Sequence, residues 1–492
     1  MDVRGRRLRK RSDEVTAFTS SMGFDWQIAR AVIQVNSAHM VALIEGGEVS
    51  PRIGGQCLRF LQRASPSWRE GTIAEDFHQY LEQQAVDSMG VDTAGYMNLG
   101  KSRNDQVATA IRIRLRERVA GLLAQVIGLQ RSLLEIASKR GANMLPGYTH
   151  VQRAQPITLA HHYLAYFDSS QRNVQRLLQL HARINLSPMG SAALGGTSVK
   201  IDRERVARLL GFDGVTTNAM DSVASRDLLS ETLACCAMIM VDVSRMSEEL
   251  VIWSSKEFGF VEVADEYATS SSIMPQKKNP VVAEVARSRF GSVVGALVAV
   301  LSISKSLPFA YNMDLQEATL HLWDGLNDTE SSVKMLGGML RTSKFNFEAI
   351  RRSMANDYST ATNLANHLVA TRGVSFRTAH AVVGELVRVS VGEHISLEQA
   401  TTRHMAAVSS KLGKRINMSE KEAADVLDPS RFLSGIRTEG GSNPKFIPSE
   451  VRSRSRLLES SEQRLSAIVR SMNSSERLLM RTVKRLSTGV KR

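Results

Sequence analysis

Residues 111–136 read Ile-Arg-Ile-Arg-Leu-Arg-Glu-Arg-Val-Ala-Gly-Leu-Leu-Ala-Gln-Val-Ile-Gly-Leu-Gln-Arg-Ser-Leu-Leu-Glu-Ile. Within them Ile111, Leu115, Val119, Leu122, Val126, Leu129, Leu133 and Ile136 recur at intervals of four and three. An a/d seam sustained over more than three heptads marks a long helix packed against other helices. Further helical runs extend from Leu159 to Ala182, Asp227 to Phe258, Val281 to Lys305 and Leu315 to Leu340. No proline interrupts the chain between Pro188 and Pro275 or between Pro308 and Pro429, so long helices are permitted there. Strand signals are few and short. The chain therefore reads as all-α, or mainly helical, with long antiparallel helices forming a central bundle.

Cuts are expected near residue 107, where a polar motif gives way to the seam, and near residue 355, where shorter helices begin around Thr360 to Arg372 and Phe376 to Val391. This gives an N-terminal helical domain (1–107), a central bundle domain carrying catalytic loops (108–354) and a small C-terminal helical domain (355–492). A chain of 492 residues with 43% hydrophobic and 23% charged content is long enough to bury a large core. No apolar run is expected to approach the roughly 20 residues of a membrane span, and no signal peptide is expected. Three cysteines, Cys57, Cys235 and Cys236, form neither a disulfide framework nor a metal-ligand spacing, which favours a reducing cytoplasm. The net charge is +14, with basic clusters at Arg4 to Arg11 and Arg481 to Arg492. Aromatic residues make up only 5% and do not interleave with those clusters, so a nucleic-acid partner is not expected.

Polar groups concentrate in a few loops. Thr269 to Pro280, Thr-Ser-Ser-Ser-Ile-Met-Pro-Gln-Lys-Lys-Asn-Pro, joins hydroxyls, two ammonium groups and a carboxamide between helix-breaking prolines. It is a loop built to grip an anion and to hand over to a helix near Pro280. Glu284 follows in the first turn of that helix, placed either to orient an imidazole or simply to meet the helix dipole. Ser102-Arg103-Asn104-Asp105-Gln106, preceded by Glu75-Asp76-Phe77-His78, offers donors suited to a planar carboxylate; the same residues also make an ordinary helix N-cap. Pro146 to Pro156 is a turn-bounded loop holding Thr149, His150 and Gln152, and His150 is its natural proton carrier. Tyr311 to Gln316 precedes a further helix. Gly95 to Ser102 has the spacing of a phosphate-binding P-loop, but no buried strand leads into it, so ATP binding is set aside. The adjacent His161 and His162 point in different directions on a helix and support no zinc pair.

In order along the chain, Ser-Arg-Asn-Asp-Gln (102–106), Gly-Tyr-Thr-His-Val-Gln-Arg-Ala-Gln-Pro (147–156), Gly-Phe-Asp-Gly-Val-Thr (211–216) and Ser-Arg-Asp (225–227) are followed by Trp-Ser-Ser-Lys-Glu-Phe-Gly-Phe (253–260), the 269–280 loop, Tyr-Asn-Met-Asp-Leu-Gln (311–316) and Phe-Arg-Thr-Ala-His (376–380). This series resembles the argininosuccinate lyases of the fumarase/aspartase superfamily, from about Gly23 to the Gly-Gly-Ser-Asn-Pro turn at 440–444. The resemblance implies three mostly helical domains. It also implies a homotetramer whose long helices merge into a twenty-helix core, with each active site shared by three subunits. The implied reaction is cleavage of argininosuccinate to L-arginine and fumarate by anti β-elimination, the last step of arginine biosynthesis, without cofactor or metal. Carried onto this chain, the base is Ser271 and the acid His150, assisted by Glu284, with Lys277 as the electrostatic aid. Substrate contacts fall on His78, Ser102, Arg103, Asn104, Thr149, Gln152, Arg226, Asn279, Tyr311 and Gln316.

The chain departs from the family pattern at several positions. Ser270 replaces a glycine, an expected stiffening of the loop. Asn98 and Lys101 replace His and Arg, Thr319 stands where many members have a substrate-contacting lysine, and Val281 replaces a frequent Asp. Two alternatives stay open at this point: another fumarate-releasing lyase of the superfamily, such as adenylosuccinate lyase, and a catalytically silent structural paralogue.

Overall fold

The computed structural model describes residues 11–355 and 357–488. The N-terminal basic cluster apart from Arg11, and the last residues of the C-terminal one, lie outside the described residues. The elements that position the site are α1 (Ala29–Glu45), α2 (Phe77–Met89), α3 (Arg103–Arg140), a hairpin of β1 (Met144–Thr149) and β2 (Gln152–Thr158), α4 (Leu159–Ile184) and α5 (Asp227–Ser254). They continue with a short ladder of β3 (Thr269–Ser270) and β4 (Lys278–Asn279), α6 (Val281–Ser304), α7 (Asp314–Thr342) and α8 (Ile447–Thr488).

The seam helix α3 is the axis of the fold. All eight seam residues are buried, none above 8% exposure. At 1.5 Å per residue its 38 residues span about 57 Å. It starts where Ser102 caps it, with Asp105 returning a bond to the Ser102 N–H. Side-chain bonds fix the direction of its neighbours. Arg112 Nη1 donates to the carbonyls of Arg183 (3.2 Å) and Ile184 (3.4 Å), so α4 ends beside the beginning of α3 and runs antiparallel to it. The Arg183–Glu231 pair starts α5 at that same end, and His162–Glu249 (2.8 Å) meets it again at the other. Arg287 pairs with Glu248, so α6 begins where α5 finishes and turns back. The long helices thus run up and down, and the loops between them gather at two opposite ends of the bundle.

A second, separate core is built by four helices between Ala361 and Leu427, with Leu364, Leu368, Val382, Leu386 and Leu397 at its centre. From there α8 returns along the main bundle, where Arg454 pairs with Asp168 of α4 (2.7 Å) and Glu462 with Arg131 of α3 (2.5 Å).

Three sequence expectations change. The helix from Asp227 ends at Ser254 rather than Phe258, because Ser255 turns extended and Gly259 takes φ +59°. Pro146 to Pro156 is a β-hairpin rather than an irregular loop; its two prolines face each other in the ladder and mask the strand pattern. Finally, α3 and α6 are both long and apolar enough to cross a membrane by length and composition, where no such run was expected. In α3 the apolar window is mostly buried inside the bundle; in α6 only 22% of it is. Glu284, Arg287 and Arg289 in the first turns of α6 hide its uncharged stretch from a casual reading of the sequence.

Candidate active site

The residues named from sequence fall into two groups. His78, Ser102, Arg103 and Asn104 lie at the end where α3 begins, together with Arg226, Tyr311 and Gln316. Arg226 and Tyr311 lie close enough to act on each other electrostatically, and Tyr311 also senses Asp76 and Arg103. Thr149, His150 and Gln152 lie past the other end of α3, on the hairpin. Ser271, Lys277, Asn279 and Glu284 lie there too, between the end of α5 and the start of α6. The length of α3 separates the two groups within one chain.

At the first end the polar groups are largely engaged with one another. Ser102 Oγ accepts the Asn104 N–H (3.3 Å), so its capping role is real. Asn104 Nδ2 donates to the Ala193 carbonyl (3.0 Å). The Asp105 carboxylate accepts the amides of Ser102 (3.0 Å), Gly190 (3.1 Å) and Ala192 (2.9 Å); burial nevertheless pushes it up to about 6. Arg103 donates to Asp76 and lies 4.0 Å from Glu82. Burial drives His78 down to about 3, so it is neutral at pH 7, and its Nδ1 meets Gln106 Oε1 at 2.9 Å. Burial acts to raise Asp76, yet its pKa is lowered overall; with His78 neutral, the Arg103 guanidinium is the partner that keeps it ionised. Arg226 is 5% exposed, its pKa lowered to about 10 by burial, and it donates to the carbonyls of Val223 (3.2 Å) and Ser225 (3.0 Å). Gln316 Nε2 donates to the Thr19 carbonyl (3.1 Å).

The second end is open. His150 and Val151 form the tip of the hairpin with φ +55° and +58°, the two left-handed residues of a tight two-residue turn. A β-branched residue such as Val151 is strained in that conformation, and the turn holds the exposed His150 clear of its own chain. In the 269–280 loop, Ser271 Oγ accepts the N–H groups of Ile273 (3.3 Å) and Met274 (3.0 Å). Lys278 is bound to Asp265 (2.6 Å) and Glu262 (3.7 Å), whereas Lys277 beside it stays exposed. The two adjacent lysines are thereby told apart: one staples the loop and the other is presented to solvent. Glu284 is exposed on the first turn of α6.

A family model for lyases matches residues 5–295, and a model of the argininosuccinate lyase C-terminal region matches residues 358–434. A curated argininosuccinate lyase of Methanothrix thermoacetophila is 40% identical over 493 aligned residues, covering 99% of this chain and all of its own length. The chain belongs to the argininosuccinate lyase family. Among solved structures, a variant of EDDS lyase with bound fumarate superposes with a TM-score of 0.87 at 26% identity, covering 98% of this chain and 97% of its own. A class II fumarase of Schistosoma mansoni superposes at 0.71 with 16% identity over 86% and 95% of the two chains, which places the fold in the fumarase/aspartase group.

Two departures from the argininosuccinate lyase pattern acquire a physical reading. Ser270 sits extended in the β3–β4 ladder opposite Lys278 and is absent from the positive-φ residues, so a side chain here costs no left-handed strain. Thr319 is 4% exposed and its hydroxyl donates to the Leu315 carbonyl of its own helix (3.3 Å), an arrangement that a long lysine side chain would not share.

Sequence reasoning passed over Asp25 and Asp76. In sequence Asp76 reads as the N-cap of α2, and its pairing with Arg103 comes from a residue 27 positions away. Asp25 carried no signal, since the group that fixes it is far away in sequence: it accepts the Phe77 N–H (2.8 Å) at the start of α2, besides the nearby Ser21 hydroxyl (3.0 Å). Burial raises its carboxyl to about 7. A carboxyl raised above its unfolded value holds a proton in the fold that the unfolded chain releases between about pH 4 and 7, so it subtracts stability as pH rises through that window, by roughly 1.4 kcal/mol for each pH step of one. Asp25→Asn, which keeps an acceptor for Phe77, is therefore expected to match the parent in thermal unfolding near pH 4 and to exceed it at pH 8. A constant difference across that range would remove the assignment.

Proposed function

We propose that the chain cleaves argininosuccinate to L-arginine and fumarate by anti β-elimination, the last step of arginine biosynthesis, with Ser271 as base and His150 as acid. The observation that carries this reading is the pair of backbone N–H groups aimed at Ser271 Oγ. A serine hydroxyl is a poor base at neutral pH, and donors to its oxygen favour the deprotonated form. The exposed Lys277 adds positive charge to the same loop. Ser271 would take the proton from the succinyl carbon next to a carboxylate, and that carboxylate becomes a dianionic aci-carboxylate as the proton leaves. Thr149, Lys277, Asn279, Ser102 and Asn104 would hold the carboxylates, most strongly when the second charge has formed. The guanidino nitrogen then departs with a proton from His150, oriented by Glu284.

The working form we propose is a homotetramer with each site drawn from three subunits. The separation of the two polar groups along α3 supports it, because copies running in opposite directions bring unlike ends together. So does the apolar face left on the bundle: Val285, Val298 and Leu301 of α6 are 50–55% exposed, and Met238 and Val241 of α5 with Leu320 and Met335 of α7 are exposed as well. Patches of this kind on a folded chain mark an interaction surface. The division at residues 107 and 354 is proposed likewise, supported at its second boundary by the separate core after Leu364, although α8 packs back on the bundle. Cytoplasmic operation is supported by three buried free cysteines.

Fumarate release, followed by ultraviolet absorbance, tests the reading with argininosuccinate, adenylosuccinate, malate and aspartate offered in parallel. Turnover of argininosuccinate alone is expected. Release from another of the four would reassign the specificity, and silence from a confirmed tetramer would make the chain a structural paralogue.

A further inference from the structure

The last helix, α8, presents a row of cations that the elimination chemistry does not use. Arg452, Arg456, Arg470, Arg477, Arg481 and Lys484 follow one another at intervals of 4, 14, 7, 4 and 3 residues. At about 100° per residue all six fall within an arc of about 80°, and the row runs about 48 Å along the helix. Every one of them is exposed. Leu458, Ser461, Leu479, Thr482 and Val483 occupy the other side and are buried against the bundle. Carboxylates on and beside α8 are held by other cations: Asp168 and Glu450 by Arg454, Glu462 by Arg131, Glu476 by Arg30, and Glu45 by Arg205 and Arg485. Among the described residues none of the six is in an ion pair, and Glu459 is the one acid that shares their arc. Arg59 Nη1 donates to the Ser487 carbonyl (2.7 Å), so the row ends on an anchored turn.

Unpaired cations set in a line suit a partner whose negative charge is also arrayed along a line. A lipid surface fits poorly, because α8 turns Leu458, Leu479 and Val483 into the bundle and its apolar side is not free to sink into a membrane. A single strand fits poorly as well, because α8 contains no Phe, Tyr or Trp on which bases could stack. Double-stranded DNA carries one charge per ~1.7 Å of its axis, and its major groove, about 12 Å wide, admits the ridge of a helix, whereas that of duplex RNA is deep and narrow. We propose that α8 docks on the phosphates of double-stranded DNA, without base specificity, chiefly through Arg470, Arg477, Arg481 and Lys484, which fall within about 21 Å of helix. The expectation from composition that no nucleic acid binds rested on base stacking, and a duplex held by its phosphates needs none. The apolar face offered for self-assembly belongs to α5, α6 and α7, whereas α8 packs on α1, α3 and α4, so the row occupies a different side of the chain.

The full-length protein in its assembled form is titrated against a labelled DNA duplex of about 20 base pairs, with binding followed by fluorescence anisotropy at salt from about 50 to 200 mM. With four phosphates neutralised, affinity is expected to fall roughly 100-fold over that range, a slope of log K against log salt of about −3.6. Replacing three members of the row together, Arg470→Gln, Arg477→Gln and Arg481→Gln, is expected to cut the slope to about −1 and to weaken binding at the lowest salt at least about 100-fold. A control carrying Arg377→Gln, Lys414→Gln and Lys421→Gln loses the same charge from exposed positions of the second core and should bind as the parent does. Melting temperatures should match the parent in both, since all six changes are at the surface. Equal losses in the two variants would overturn the proposal, because they would mark net charge rather than the row. It would be overturned as well by a parent that shows no salt-dependent binding, or that binds duplex RNA, a single strand, poly-glutamate or anionic phospholipid vesicles as tightly as the DNA duplex.

Discussion

Replacing Ser271 by alanine is expected to lower fumarate release by roughly 10²- to 10⁴-fold, the contribution of one positioned proton-transfer group, with the oligomer and its melting temperature unchanged. The structural cost is small because the side chain is short, sits in a largely exposed loop, and accepts only the Ile273 and Met274 amides, which water can satisfy in its place. The chemical cost is large because, among the hydroxyls of that loop, Ser271 Oγ is the one that accepts two backbone N–H groups favouring its deprotonated form. KM should move little, since the hydroxyl acts in the transition state rather than in binding. A variant turning over within a few-fold of the parent would move the base elsewhere in the site. Loss of activity accompanied by loss of the oligomer would mean the loop had been disturbed rather than the chemistry.

The sequence made the bundle legible because its signals are local. The heptad seam from Ile111 to Ile136 needs no partner to be seen, and every one of its positions is buried. The helix start at Ser102 was legible for the same reason, since the capping residues are three apart. The 269–280 loop could be recognised from its prolines and its cluster of hydroxyls and ammonium groups. What escaped was whatever depends on distant neighbours. Asp25 meets Phe77 across 52 positions, and no pattern around either residue announces it. Arg103 reads as a free guanidinium until Asp76 and Glu82 arrive from α2 to occupy it. Likewise the hairpin carrying His150 was obscured by prolines that break the alternation usual in strands.

A charge placed on the exposed face of α6 is expected to dissolve the assembly and the activity together. In a lone chain Val298→Asp is a surface change at a position 55% exposed, worth no more than about 0.5 kcal/mol. In a tetramer whose α6 helices meet, the same carboxylate is driven into an apolar interface without a partner, at a cost of several kcal/mol per copy. Sedimentation should therefore show smaller species with helix content retained, and fumarate release should fall at least about 100-fold, because in any one chain Asn104 lies where α3 begins and Ser271 in the loop at the opposite end of the bundle. Mixing separates this from simple damage. Ser271→Ala and Asn104→Ala tetramers, each inactive, are expected to regain roughly a quarter of parental activity when unfolded and refolded together, since a site drawing the two groups from different copies finds both intact in about one case in four. No recovery from well-formed hybrids would mean that both groups serve a site within one chain, and the composite site would have to be abandoned.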